Sequence, residues 1–285
     1  MFQTITTTSS VANEIEPRLK DNLDLITKKY PSFTSIIESL GDNSKEIEEL
    51  SKFIEYETSK THTPDLLEDE LKLSFTDDVD RITRVMNKAF KEDHSNDYIM
   101  KKLYNIPVTE PCSKYRIEAT MHMLNAHYFD SGAEIIQANN FHAVAIWTTP
   151  ENPVDLWKTN DETFNRVYLD ELHEIRDQII PKNVGQYYLF TITRDPDDNV
   201  TKGSVRSIFE YYKERADREN AALTLEAINE NAKKVYEYFG FKSYKTFHYG
   251  VGEVNSNGEP AEKGEGFTGY LMIYHKNADM IFNRI

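Results

Sequence analysis

The sequence predicts a mixed α/β domain whose sheet is flanked by helices, preceded by an added helical segment. From about residue 70 onward, apolar side chains recur alternately with the strand period of two and the helix period near 3.6. Gly, Pro and Asn residues separate these segments. Residues 1–65 carry helical apolar patterns and are richer in acidic than in basic side chains. We therefore expect an acidic helical extension at 1–65 and a main domain at 66–285.

The order of the predicted elements suits a sheet with helices on both faces. Strands are expected at 71–75, 133–137, 141–147, 186–193, 223–228, 242–249 and 267–274. Helices are expected at 79–89, 96–105, 113–129, 161–180, 203–218 and 229–239, and in the extension at 11–30 and 44–60. Thr76 or Asp77 is the expected N-cap of the helix at 79–89. Asn139 and Asn140 are typical residues for the turn between two adjacent strands.

Composition narrows the class of protein. The chain has 285 residues and a net charge of −15, which argues against binding a nucleic-acid backbone as its main role. It contains no apolar run of 18 residues and no N-terminal secretory pattern, so neither a membrane partner nor secretion is expected. A single cysteine, Cys112, fits a reducing compartment. We expect a cytoplasmic protein, with the nucleus as the alternative.

One segment, from Asn229 to Phe241, carries more than a secondary-structure pattern. Asn229 stands at the N-cap position of a helix that ends at Gly240. The string N-x-x-A-x-x-x-Y-x-x-x-G-F resembles a signature of the GNAT superfamily of acyl-CoA-dependent N-acetyltransferases. The resemblance implies the GNAT fold, with a mixed, mostly antiparallel sheet, and acetyl-CoA as co-substrate. It also implies that the hydroxyl of Tyr236 faces the sulfur of coenzyme A, and that Asn229 belongs to the cofactor-binding residues.

A second segment, 187–196, is similar to the GNAT strand that pairs with the pantetheine arm of the cofactor. Ile192, Thr193 and Arg194 are the positions that the resemblance assigns to this pairing. A bulge in that strand would leave a backbone N–H for the thioester carbonyl. Amine attack places negative charge on this oxygen, and a preorganised donor lowers the barrier.

The third segment is the loop 198–203, where the family binds pyrophosphate with R/Q-x-x-G-x-G/A at a helix N-terminus. Here Gly203 is retained, Thr201 replaces the middle Gly, and Asp198 stands where Arg or Gln is usual. The resemblance assigns cofactor binding to Thr201, Lys202, Gly203 and Ser204. The departures leave an alternative open: a degenerate GNAT-like domain that binds acyl-CoA or a partner without acetylating.

A general base must deprotonate the incoming ammonium. Glu226 is the predicted base, because it lies in the strand before the Asn229–Phe241 segment. Glu134, His142 and His173 are further candidates. Surface roles for the two glutamates, structural roles for the histidines, a water-mediated base and the absence of a base all stay open. No metal-ligand spacing stands out, so no metal is predicted.

The expected activity is transfer of an acetyl group from acetyl-CoA directly to an amine of a small molecule or peptide. The acidic chain favours a cationic acceptor, for instance a polyamine or amino acid. Homodimerisation through residues 1–65 is left open. Five aromatic residues are candidates for lining the acceptor pocket, with packing in the core as the alternative for most of them: Tyr128, Trp147, Trp157, Tyr168 and Tyr187.

Overall fold

The computed structural model describes residues 73–282. The predicted extension at 1–65 and its boundary at residue 66 lie outside the described residues and stay predictions. Within 73–282, no helix is long and apolar enough to cross a membrane.

The described residues form one seven-stranded sheet with the strand order β1-β2-β3-β4-β5-β7-β6. The strands are β1 Leu73–Phe75, β2 Glu134–Ala138, β3 Ala143–Thr148, β4 Gln186–Arg194, β5 Ala222–Ala227, β6 Lys242–Tyr249 and β7 Phe267–Tyr274. Every pairing is antiparallel except that of β4 with β5, which is parallel. The predicted mixed, mostly antiparallel sheet is confirmed.

Helices cover both faces of the sheet. They are α1 Val79–Ala89, α2 His94–Leu103, α3 Lys114–Asp130, α4 Glu162–Phe164, α5 Glu171–Ile179, α6 Ser204–Glu219, α7 Glu230–Tyr238 and α8 Ala278–Ile281. A π-helical turn, Asn165–Asp170, joins α4 to α5. The predicted helix at 161–180 is therefore continuous only in outline, because its middle changes to the wider i→i+5 pitch.

Two details differ from the predicted helix starts. Asp78, rather than Thr76 or Asp77, caps α1, because its carboxylate accepts the backbone N–H of Arg81 at 2.8 Å. Helix α2 begins two residues earlier than predicted, because Asp93 caps it by accepting the N–H of Asn96 at 3.0 Å. In both cases an acidic side chain satisfies a first-turn donor that would otherwise lack a partner.

Alternate residues of the central strands feed two separate apolar cores. The first core lies on the face covered by α1, α2, α3 and α5, and includes Val144 of β3 and Phe247 of β6. The second lies on the face covered by α6 and α7, and includes Trp147 of β3 and Leu225 of β5. Because neighbours along a strand point to opposite faces, this alternation decides which side chains of β4 and β5 lie in each core.

Trp147 anchors the second core. It is fully buried, and its ring stacks on that of Tyr212 from α6, with the centroids 4.3 Å apart. Tyr212 in turn donates a hydrogen bond from its hydroxyl to Glu134 at 2.8 Å. The contact therefore fixes α6 on the sheet, and with it the loop that precedes α6.

We predict that Trp147→Ala lowers the free energy of unfolding by about 3–5 kcal/mol, because it removes a fully buried indole and leaves a cavity. Urea unfolding followed by circular dichroism measures this. Tyr115→Ala is the control, because the Tyr115 side chain is 81% exposed. A loss below about 1 kcal/mol for Trp147→Ala would contradict this account of the core.

Candidate active site

A cleft opens in the sheet where β4 and β5 separate. The two strands pair in parallel only from Gln186 to Leu189 and from Ala222 to Leu225. Beyond these residues β4 continues to Arg194, whereas β5 remains paired with β7 alone among the described strands. The second half of β4 thus presents one backbone edge to the cleft, where an extended ligand can pair with it as another strand would.

A β-bulge lies at the point of separation. Ile146 of β3 faces Thr191, but the next residue, Trp147, faces Leu189, so Phe190 is an extra residue in β4. Its ring stacks on Tyr128, with the centroids 4.0 Å apart. The bulge required for a free backbone donor is present, but it lies at Phe190, two residues before the expected start at Ile192.

The expected pantetheine-pairing positions Ile192, Thr193 and Arg194 follow the bulge along the same edge. On their other side they face β3 in regular register, from Ala145 to Ala143. Pairing with β3 thus keeps the backbone of these three residues in a regular extended conformation along the cleft. The backbone irregularity is therefore at Phe190, and the residues that follow it in β4 keep an edge that no described strand pairs with.

Glu226 lies on β5 beside the cleft, on the face of the first core. Its Oε2 accepts a hydrogen bond from the Tyr188 hydroxyl at 2.6 Å. Its Oε1 is buried and has no hydrogen-bond partner within residues 73–282. Burial raises the pKa of Glu226 to about 7, while the Tyr188 bond and the nearby Arg176 charge act in the opposite direction. A carboxyl group with this pKa is suited to accept a proton near neutral pH.

Tyrosines surround the Glu226 carboxyl group. Its charge contributes to raising the pKa of each of them, after burial as the larger cause. They are Tyr128, Tyr168, Tyr188, Tyr236 and Tyr249. The Tyr249 hydroxyl, like Glu226 Oε1, is buried without a partner in the described part of the chain. The phenols therefore stay protonated near neutral pH, and within residues 73–282 the Tyr188 hydroxyl is the one that donates to Glu226.

Tyr236 projects from α7, which begins directly after β5. Asn229 caps this helix, because its Oδ1 accepts the backbone N–H of Ala232 at 2.8 Å. The Tyr236 ring packs against Phe209 and Phe241, with centroid distances of 5.8 and 6.1 Å. Burial, and then the Glu226 charge, raises the pKa of Tyr236 to about 12. The helix thus holds a protonated hydroxyl in the electrostatic range of the predicted base.

In the loop between β4 and α6, the carboxylate of Asp198 accepts hydrogen bonds from other residues of the same loop. Asp198 accepts the backbone N–H groups of Val200 and Thr201, each at 3.0 Å, and the Thr201 hydroxyl at 2.6 Å. These bonds lower the pKa of Asp198 to about 2, with the Thr201 hydroxyl as the first cause. Two donors that would suit a phosphate oxygen are therefore already used within the loop.

The start of α6 keeps its donors. Gly203 precedes the helix with φ of 81°, and no side chain caps its first turn. Ser204 is buried and turns its hydroxyl inward, where it contacts His142 Nδ1 at 2.7 Å and accepts from Asn139 Nδ2 at 2.8 Å. Lys202 donates to the Asn199 carbonyl at 2.8 Å. The backbone of this turn, rather than the Ser204 side chain, is the part that suits an anion.

A cavity of about 430 Å³ lies on the first-core face next to the amino-terminal half of β4. Tyr128, Tyr168 and Tyr188 line it, together with Leu172 and Arg176 from α5. Glu226 lies behind Tyr188 and does not itself line the cavity. The π-helical turn carries Tyr168 into the wall, and such turns are frequent at functional sites.

Three of the five aromatic residues expected in the acceptor pocket are elsewhere. Trp147 and Tyr187 belong to the second core, on the opposite face of the sheet. Trp157 donates from Nε1 to the Leu103 carbonyl at 2.7 Å, and it does not line the cavity. Tyr128 and Tyr168 line the cavity. Tyr188, which the prediction omitted, is signalled by its adjacency to Tyr187, since neighbouring strand residues face opposite sides.

The other candidate bases are engaged in structural contacts. Glu134 binds Arg215 at 2.7 Å and accepts from Tyr212, at the far end of β2. His142 holds the loop through Ser204 and contacts the Asp198 carbonyl at 3.2 Å. His173 contacts the Leu169 carbonyl at 2.6 Å, and burial lowers its pKa. Glu226 is the candidate whose carboxyl group lies at the cleft.

Together, the strand order, the separation of β4 from β5 and the bulge give the described residues a fold of the GNAT type. Residues 74–153 match the family model described as the YOR012W acetyl transferase domain. The uncharacterized protein YDR391C of Saccharomyces cerevisiae is 43% identical over 211 residues, covering 73% of this chain and 89% of that protein. The chain belongs to the family of these yeast proteins.

Two other proteins are also similar to this chain. The putative increased recombination centers protein 11 of Saccharomyces cerevisiae is 52% identical over 118 residues, which is 41% of this chain and 76% of that protein. A crystal structure of histone acetyltransferase HPA2 and related acetyltransferase from Corynebacterium glutamicum is similar with a TM-score of 0.44 and 17% identity. It covers 71% of this chain and 94% of that one.

We predict that Glu226→Gln stabilises the protein at high pH. The folded-state pKa near 7 lies above the ordinary value of 4.5, so the wild type loses stability as pH rises from about 4.5 to 7. The whole pKa shift of Glu226 corresponds to about 3 kcal/mol in the free energy of unfolding. Urea unfolding at pH 4.5 and pH 8 measures it: the variant gains relative to the wild type at pH 8 and much less at pH 4.5. An equal effect at both pH values would contradict the raised pKa.

Proposed function

We propose that this chain is an acetyl-CoA-dependent N-acetyltransferase that transfers an acetyl group directly to an amine of a small molecule or peptide. The observation that carries the proposal is the position of Glu226. Its carboxyl group titrates near pH 7, lies beside the open edge of β4, and keeps one oxygen without a partner in residues 73–282. A base with these properties is what deprotonation of an ammonium group near neutral pH requires.

The residues around the cleft fit acetyl-CoA in two of three places. The open edge of β4 from Phe190 to Arg194 suits the pantetheine arm, and the uncapped first turn of α6 suits the pyrophosphate. Asp198 is the exception, since its carboxylate holds loop donors and adds a negative charge nearby. When bound, acetyl-CoA supplies an activated acyl group to an amine.

Two side chains would move protons. Glu226 accepts a proton from the acceptor ammonium, and Tyr188 keeps the carboxylate oriented through its 2.6 Å hydrogen bond. Tyr236, whose pKa is raised to about 12, would supply a proton to the departing thiolate. Besides burial, the Glu226 charge raises the pKa of Tyr236, so Tyr236 keeps its proton while Glu226 is ionised and releases it more readily once Glu226 has accepted a proton.

A second function is favoured by the loop: acyl-CoA binding, or partner binding, without transfer. Because Asp198 uses the Val200 and Thr201 amides, the loop offers fewer donors to a pyrophosphate than the family pattern does. Calorimetric titration with acetyl-CoA, read together with thiol release, distinguishes three cases: transfer, binding without transfer, and no cofactor binding. Binding without thiol release supports acyl-CoA binding without transfer. No binding at millimolar acetyl-CoA overturns both cofactor-dependent functions and leaves partner binding alone.

The test of the proposed transfer is thiol release from acetyl-CoA with a panel of amines. We expect release that rises with pH through about 7, as Glu226 loses its proton. Tyr236→Phe should lower turnover by roughly 100-fold with little change in acetyl-CoA binding, because it removes the acid and keeps the ring. Tyr238→Phe, on the exposed side of the same helix, is the control. Unchanged turnover in Tyr236→Phe would remove Tyr236 from the mechanism.

A separate prediction concerns the loop. Asp198→Asn should tighten acetyl-CoA binding by roughly 3- to 10-fold, because it removes a negative charge near the pyrophosphate and retains one oxygen for the loop amides. Calorimetry measures the dissociation constant. Asp197→Asn makes the same charge change in an exposed residue that accepts no loop amide, and is the matched control. Weaker binding in Asp198→Asn would show that its carboxylate organises the loop for the cofactor.

A further inference from the structure

Arg176 is a cation in the cavity wall without a carboxylate partner in the described part of the chain. It projects from α5, and its guanidinium lies 5.6 Å from the centre of the Tyr188 ring. Its Nε is buried and has no hydrogen-bond partner within residues 73–282. By contrast, Arg116, Arg166 and Arg215 each form an ion pair with a glutamate. A buried guanidinium donor without an acceptor is costly, so this position is suited to an anionic ligand group.

The charges around the cavity limit which anion fits. Asp155, Asp177 and Lys182 lie at its exposed rim, and burial and the Arg176 charge lower the pKa of His173, which therefore stays neutral at pH 7. Two carboxylates at the rim disfavour a dianion such as a phosphate monoester. A carboxylate carries a single charge and accepts two parallel hydrogen bonds from a guanidinium. The rim thus favours a carboxylate over a phosphate.

Tyr188 connects this cation with the predicted base. Its ring lies under Arg176, and its hydroxyl binds Glu226, whose second oxygen lacks a partner in residues 73–282. One tyrosine side chain therefore separates an unpaired cation from an unpaired carboxylate oxygen. A ligand whose carboxylate binds Arg176 can place an amine against Tyr188, which connects it to Glu226, and it adds no net charge to the cavity.

We propose that the acceptor is a small amino-carboxylate, an amino acid or a close analogue, whose carboxylate binds Arg176 while its amine lies at Tyr188, the hydroxyl of which connects the cavity to Glu226. This rests on the proposed N-acetyltransferase function and narrows its acceptor class. The cavity of about 430 Å³ lies in the size range of small-molecule sites. Arg176 is thus a specificity-determining residue, and Glu226 acts through Tyr188 on the other end of the same molecule.

The experiment compares matched acceptors that differ only in the carboxylate. Glycine, β-alanine and γ-aminobutyrate are each assayed beside their carboxamides and methyl esters, by thiol release from acetyl-CoA. We expect the wild type to prefer one free acid by about 10- to 100-fold in kcat/KM over its amide and ester. The chain length of the preferred acid reports the spacing between Arg176 and the Tyr188 hydroxyl.

Arg176→Gln should reduce this preference to about 3-fold or less, mainly through KM, and Arg176→Lys should retain part of it. Arg166→Gln is the matched control: it makes the same change at an exposed arginine paired with Glu174, in the preceding helical turns. Calorimetry with the same acids and amides, without acetyl-CoA, gives the preference as a ratio of dissociation constants, independently of transfer. Near-UV circular dichroism confirms that each variant is folded.

The outcomes separate the two proposals. Thiol release with amides and esters as efficient as with the acids overturns the amino-carboxylate inference and leaves the N-acetyltransferase function standing. A preference that persists in folded Arg176→Gln overturns the assignment of Arg176. Absence of thiol release with every amine overturns the proposed function, and the acceptor inference with it.

Discussion

The short parallel pairing of β4 with β5 is the constraint on which the remaining structure depends. Four residue pairs hold the two strands together, and beyond Leu189 the edge of β4 is turned to a cleft. The bulge at Phe190 falls at this point, so the strand changes direction where a ligand would meet it. Glu226 lies one residue past the last pair of β5. Cleft, donor edge and candidate base therefore follow from one interrupted ladder.

The cost of placing a carboxylate in this cleft explains the residues around it. An isolated buried charge is strongly unfavourable, so the protein keeps Glu226 close to neutrality and supplies one hydrogen bond from Tyr188. The surrounding phenols fill the space with groups that are apolar on their faces and polar at one end. In the loop before α6, a carboxylate charge is stabilised in a different way. Asp198 is fully ionised, because Thr201 and two backbone N–H groups stabilise its charge.

Sequence patterns were sufficient for the elements and for part of the site. The strand before Asn229 and the helix that follows it, with Asn229 as its cap, are as predicted. The position of the bulge was not predictable, because a nine-residue strand keeps its strand-like composition when it contains one extra residue. The engagement of Asp198 with loop amides depends on a backbone conformation that residue types do not specify. Trp147 and Tyr187 were assigned to the pocket by residue type, although strand register turns them to the opposite face.

The π-helical turn at Asn165–Asp170 has a consequence for how this wall of the cavity changes in evolution. Each residue of an α-helix turns the following side chains by about 100°. The wider turn therefore sets the rotational phase of everything in α5, including Leu172 and Arg176. Loss or gain of a single residue there would redirect all of α5 at once, without altering any lining side chain. Among relatives, the spacing of this segment would then diversify ligand preference as effectively as replacement of the residues that touch the ligand.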